Sequence, residues 1–445
     1  MRYVALAAGF DGTLARDGRY DERCIEALRA LAATGRKLIL VTGRELRELL
    51  EIFPEARLFD YVVAENGAVM HRSATRESEI LAQAPPELLL QELRRRHVTP
   101  LSVGSSIVTT VKANEAEVSA ALRKLQLDFQ LVTNPGALMM LPAGVNKASG
   151  VWAALRELGV SRHNLVAIGN GENDLALFEF AGHAVAVQNA DTLVKRVANR
   201  TTQGSYCEGF LELARDLVAT DLADAVPRHK VVVGVCENGS PVEITPCRDS
   251  LLVHGPNGSG KAALCNRLLE QFLASSYQCC IIDADVGGLR VPGEIQVFGD
   301  AHEVPRLTDI LAALDQPTAS VAINLAGLGA ETRPVFTDAL LVQLQALHDR
   351  LGRPHVVMIR QAHSCVADGV TAASARLSEV TMIYATAQPE RLPARILDSV
   401  TVTLNSATQA VTAGGAVGRI SGPAPVGSPG TQSLPESDAA TASGY

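Results

Sequence analysis

No stretch of this chain approaches the about 18–20 continuous apolar residues that a membrane-spanning helix needs, so no membrane partner is expected. There is no CxxC pair, and the eight cysteines show no repeated spacing, which argues against a zinc framework or a disulfide scaffold. Cys279 and Cys280 adjoin inside an apolar run and read as packing residues. The N-terminus has a short apolar run but no cationic region or small-residue cleavage site, so no export signal is expected and a reducing cytoplasm is the natural location. Sustained blocks of lysine or arginine are also missing. The densest basic patch, Arg94 to Arg96, reads as a solvated helix face. With a net charge of −8, binding to nucleic acid is disfavoured.

What is present is ample apolar material, 47% of 445 residues, enough for two or three domains with separate cores. Short apolar runs alternate with amphipathic helical patterns, the signature of parallel sheets with crossover helices. The first half reads as strand 3–9, helix 21–34, strand 37–41, helix 44–52 and strand 60–63. Residues of about 84–135 break that rhythm with a helix opened by Pro85, a strand at 106–112, a helix near 115–126 and a strand at 128–132. The pattern suits a small α+β insertion over the main sheet, and the parallel rhythm resumes at 147–158, 164–168 and 173–181. The sequence PRHK at 227–230 marks a linker into a second α/β unit, covering 226–420, which opens with a strand at 230–235 and a turn at 237–240. Its later apolar strands are expected at 250–254, 279–282, 319–325, 354–359 and 380–385. Residues 421–445, rich in Pro, Gly, Ser, Thr and Ala, read as a disordered tail.

Five motifs in the first half carry chemistry. VALAAGFDGTL at 4–14 is a buried strand running into a loop, and VTGR at 41–44 places Thr42 and backbone N–H groups after a strand. AENGA at 64–68 ends the next strand, GVNK at 144–147 supplies Lys147, and GNGEND at 169–174 supplies Asn170, Asn173 and Asp174. In order and cap placement they resemble the haloacid dehalogenase-like (HAD) phosphatases, Cof-type subgroup, across about residues 1–220 of a first domain expected at 1–225. The resemblance implies a Rossmannoid parallel sheet with an α+β cap, a magnesium ion, and a covalent aspartyl intermediate on a phosphorylated small molecule. It also implies that the attacking aspartate is replaced here by Gly9, leaving Asp11, and that Asn170 replaces a metal-binding acid beside Asp174. A hydrogen side chain cannot attack phosphorus. Magnesium prefers several anionic oxygens, so a weakened metal site and a disabled enzyme are expected.

The second unit carries HGPNGSGKA at 254–262, between an apolar strand and an amphipathic helix expected at 263–274. This context suits a Walker A loop, with Gly255, Asn257, Gly258, Ser259 and Gly260 offering backbone N–H groups and Lys261 reaching outer phosphates. Ala262 stands where a magnesium-binding Ser or Thr is normal. GRPHVVMIRQAH at 352–363 resembles the strand ending in DEAH of HerA-like P-loop ATPases, with Arg360 and Gln361 in place of the two acids. A P-loop NTPase-like α/β domain that binds ATP or another nucleotide is therefore expected. IDAD at 282–285 is the nearest acidic strand end, and Arg333 reads as either an intersubunit finger or a surface residue. A HerA-like unit would suggest a homo-oligomer.

Losses at Gly9, Asn170, Ala262, Arg360 and Gln361 spare the scaffold. The expectation is a pseudoenzyme that binds a phosphate ligand or nucleotide as a regulatory or assembly protein. The alternatives are an active magnesium-dependent sugar-phosphate phosphatase using Asp11, and a HerA-like motor on nucleic acid.

Overall fold

The structure is a computed structural model that describes residues 1–134, 136–236, 238–285, 291–366, 377, 379–414 and 416–420. The expected tail at 421–445, and Glu237 in the expected turn, lie outside the described residues.

The strand Ala5–Gly9 sits at the centre of an eight-stranded sheet with all five residues buried. It pairs in parallel with Leu165–Gly169 on one side and Lys37–Val41 on the other. Helices cover both faces of such a sheet, which is why its strands read as continuous apolar runs rather than alternating ones. The helix Glu22–Ala33 packs through Cys24, Ile25, Leu28 and Leu31, and Asp21 caps it by accepting from Arg23 N. Beyond Tyr61–Ala64 the sheet continues as an antiparallel ribbon, Val69–Arg72 and Glu77–Ile80.

The inserted α+β layer has its own core of Leu89, Leu93, Val108, Val118, Leu138 and Met140. Two helices, Glu87–Arg95 and Glu115–Leu125, lie on a four-stranded antiparallel sheet. The expected boundary at 135 is too short. The strand Ala137–Pro142 is the second in this sheet and pairs with both Phe129–Asn134 and Val108–Val111.

The second half is built on an eleven-stranded sheet. Seven parallel strands run from Val402–Asn405 through Leu251–His254, Thr381–Thr386, Val356–Arg360, Cys279–Asp283 and Val321–Asn324 to Gln296–Phe298. Antiparallel strands 231–236, 241–244, 410–413 and 416–419 finish the other edge. The halves dock through polar contacts: Asn164 Nδ2 donates to Gly352 O at 2.9 Å, and Arg353 Nη2 donates to Gly159 O at 3.0 Å. No helix among the described residues is long and apolar enough to cross a membrane.

Candidate functional site

The chain turns sharply where the strand Ala5–Gly9 ends. Ala15 N donates to Phe10 O at 2.9 Å, and Gly12 takes a φ of 78° against the side chain of Asn170. A Cβ at Gly12 would lie 2.2 Å from Asn170 Nδ2, so both the backbone angle and the space require glycine here. Gly9 itself has extended backbone, and a Cβ there would lie 3.0 Å from Thr13 Oγ1. One residue beyond it, a cavity of about 870 Å³ opens between the sheet and the inserted layer, lined by Asp11, Thr42, Lys147, Asn170 and Asn173.

Three charged groups that line that cavity, Asp11, Arg44 and Lys147, are already paired. Asp11 forms a two-pronged ion pair with Arg44, with both contacts at 2.8 Å, and Arg44 also reaches Glu48. Hydrogen bonding to Asp11 holds the Arg44 guanidinium above its ordinary range. Lys147 Nζ donates to Asp174 Oδ1 at 2.6 Å, and both side chains are buried. The other Asp174 oxygen accepts from the backbone N–H groups of Asn170, at 2.8 Å, and Gly171, at 3.0 Å. Asn170 Oδ1 accepts from Thr13 Oγ1 at 3.1 Å. Thr42 is buried, with its Oγ1 accepting from Arg44 N at 3.1 Å. Asn173 Nδ2 donates to Asn66 Oδ1 at 2.8 Å. Among the described residues, no group of three or more His, Cys, Asp or Glu side chains is placed to hold a metal ion.

In the second half, the loop after the strand Leu251–His254 bends through three positive-φ glycines: Gly255, at 146°, Gly258, at 80°, and Gly260, at 89°. The helix Lys261–Ala274 then begins at Lys261, two residues before the expected start. Lys261 Nζ is folded back on the loop, donating to Gly255 O at 2.6 Å and Pro256 O at 2.8 Å, and burial pushes its pKa down. Ser259 Oγ meets Ser406 Oγ at 2.6 Å. A cavity of about 690 Å³ is lined by Asn257, Gly258, Gly260, Lys261 and Ala262 from this segment, with Asp283, Asp285, Arg360 and Gln361 opposite. Arg360 is buried, bonded to Asn266 and 3.5 Å from Asp283. Burial raises the Asp283 carboxyl, because a 3.5 Å pair offsets little of the lost hydration. Arg333 is not a free surface group. Its Nε donates to Leu325 O at 3.2 Å and Leu328 O at 3.0 Å, tying down its own loop.

A family model for haloacid dehalogenase-like hydrolases matches residues 6–109 and 105–212. The phosphoglycolate phosphatase of Methanothermobacter thermautotrophicus is 31% identical over 219 residues, 47% of this chain and 97% of that protein. The chain belongs to the haloacid dehalogenase-like hydrolases. The haloacid dehalogenase-like half is also similar to the phosphoglycolate phosphatase of Haloarcula marismortui, 30% identical over 46% of this chain and 94% of that protein. A haloacid dehalogenase-like hydrolase from Bacteroides thetaiotaomicron is 23% identical over 48% of this chain and 99% of that one, with a TM-score of 0.44. Haloacid dehalogenase-like phosphatases act on phosphorylated small molecules, and phosphotransferases of this superfamily generally use magnesium.

Several residues of the haloacid dehalogenase-like site escape a reading of motifs. Glu65 is buried, and its two oxygens accept from Ser105 N and Ser106 N, both at 3.0 Å, clamping the inserted layer to the sheet. The AENGA motif flags the position but not the clamp. Asn189 bridges the site floor: its Nδ2 donates to Gly12 O at 2.8 Å, and its Oδ1 accepts from Tyr206 N at 2.7 Å. Tyr206 lines the cavity with φ 51° and ψ −131°, a strained backbone for a residue with a side chain. No local sequence pattern announces it.

Proposed function

We propose that this chain binds phosphorylated ligands without turning them over, as a disabled haloacid dehalogenase-like domain joined to a nucleotide-binding P-loop-like domain that has likewise lost its catalytic acids. Gly9 carries this reading, because at the end of the central strand it offers no nucleophile. Asp11, the nearby carboxylate, is occupied by Arg44, which leaves it poorly suited to activate water. Nucleophile loss in other enzymes costs on the order of a millionfold in turnover.

Magnesium is the family's metal, and the residues present do not fit it. Asp174 is the carboxylate left at the expected metal positions, and its oxygens are taken by Lys147 and two backbone N–H groups. Asn170 offers only a neutral carbonyl, and no metal step is derived for this chain. A phosphate group would instead draw on Lys147, the Thr42 hydroxyl and the Arg44 guanidinium at the cavity wall. The relatives' name points to small phosphorylated carboxylates such as phosphoglycolate as the first ligands to try.

In the second domain, the glycine-rich loop and Lys261 would hold a nucleotide's phosphates. Ala262 offers no metal ligand, Arg360 brings a cation where an acid would activate water, and Gln361 cannot act as a base. Residues 226–420 form this domain in our reading, and 1–225 the first. The competing reading is an active magnesium-dependent phosphatase, favoured by the relatives' name.

Release of inorganic phosphate from phosphoglycolate, sugar phosphates and ATP, with magnesium present, separates the two. The expected outcome is no release by the wild type and measurable release by the double variant Gly9→Asp with Asn170→Asp. Release by wild type that vanishes in Lys147→Ala or Lys261→Ala overturns the proposal and shows which domain works.

A further inference from the structure

A third cavity, of about 560 Å³, lies between the two halves and apart from both phosphate sites. Trp152, Phe180 and Arg162 wall it on the N-terminal side, and Leu273, Tyr277 and Thr318 on the other. Small-molecule sites fall typically in the range of about 300–1,000 Å³ and favour domain seams. Trp152 is the chain's single tryptophan and meets Phe180 edge to face at 5.9 Å, yet it remains 37% exposed. Its helix, Lys147–Leu158, opens with the lysine of the first site, and Leu273 lies on the helix opened by Lys261. An occupant would touch both helices.

Arg162 is the informative residue. Its guanidinium lies 5.9 Å over the Phe180 ring, and its Nη2 donates to Ser275 O at 3.1 Å. Among the described residues it makes no ion pair, and its Nε is shut off from solvent without a hydrogen-bond partner. Burial lowers its pKa, as expected of a cation that has lost water and gained no counter-charge. A half-buried guanidinium without a counter-charge favours a carboxylate beside whichever of its N–H groups face the cavity. The aromatic walls beside it favour a flat ring over an aliphatic chain.

We propose that the seam cavity binds a planar aromatic carboxylate, with the ring against Trp152 and Phe180 and the carboxylate on Arg162. This site does not depend on the activity of either domain. Titration calorimetry on the full chain would use 2-naphthoate as the probe, 2-naphthalenemethanol as the uncharged ring and decanoate as the ring-free anion. The expected result is binding of 2-naphthoate that weakens at least about tenfold in Arg162→Gln, while the uncharged ring is indifferent to that change. Trp152→Ala should weaken both ring compounds and leave decanoate untouched. No heat and no thermal shift with 2-naphthoate on the wild type overturn the proposal, as does equal affinity in Arg162→Gln. If Arg162→Gln does not fold, Thr318→Phe, at an exposed position on the cavity wall, serves instead. Loss of binding in that plugged variant supports the site, and unchanged binding sinks it.

Discussion

At the scale of single residues, the first site is governed by the pairing of its central charges, Asp11 with Arg44 and Lys147 with Asp174. A Cβ at Gly9 would press only on the Thr13 hydroxyl, at 3.0 Å, so an aspartate there requires a small adjustment of one side chain. The surrounding frame therefore has room for a side chain at Gly9. Asp174 is different, because it is part of what holds the frame. It is buried with Lys147 at 2.6 Å and accepts two backbone N–H groups that shape the loop 169–174. Removing one partner of a buried pair leaves an uncompensated charge and costs about 3–5 kcal/mol. Lys147→Ala should therefore lower the unfolding free energy toward that range by urea titration. Lys147→Met, which keeps the stem, should do nearly as badly, and a loss of well under 1 kcal/mol would show that the pair is solvated.

At the scale of elements, the inserted layer is joined to the sheet at one charged clamp. Glu65 collects the N–H groups of Ser105 and Ser106, and Gly104 lets it approach, since a Cβ there would meet Glu65 Oε2 at 2.8 Å. Glu65→Gln keeps the shape but loses the charge assistance, worth about 1.5–3 kcal/mol for hydrogen bonds to an ion. Faster amide exchange at Ser105 and Ser106, with the strand Ala5–Gly9 unchanged, is the expected result. Uniform acceleration across both layers would count against a local clamp. The insertion was legible as a break in the helix–strand rhythm, but its last strand was not. Ala137–Pro142 gains its place by pairing with Val108–Val111, on the far side of the helix Glu115–Leu125 in the chain, and nothing in its own composition names that partner.

At the scale of the molecule, the two halves meet over neutral histidines. His163 stacks on Tyr277 at 3.7 Å and lies 5.4 Å from His355 and 5.2 Å from His229. Burial drives His163 and His355 well below the usual imidazole range and His229 to about 4, with Arg162, Arg353 and Arg2 adding repulsion. These depressed values mean that the unfolded chain takes up protons first as pH falls. The histidine contribution is complete above about pH 6.5 and is lost as pH drops toward about 4, at up to about 1.4 kcal/mol per pH unit for each histidine. Urea midpoints should fall steeply between pH 7 and pH 5, and His355→Gln should flatten that slope. A midpoint independent of pH over this window would contradict the buried, neutral assignment.

The sequence by itself determined the parallel α/β rhythm of both halves, the haloacid dehalogenase-like family of the first, and the residues that stand at its motif positions, Gly9 and Asn170 among them. These properties are local: a run of apolar residues, a glycine-rich loop or a missing side chain is complete within a few positions. Tertiary structure alone decided what the remaining charges do. Arg44 takes Asp11 across 33 positions, and Lys147 takes Asp174 across 27. Arg162 faces the second half and makes no ion pair among the described residues. Which partner a buried ion finds depends on where distant strands place it, because charge pairs form across space and the chain carries no local mark of its neighbours there.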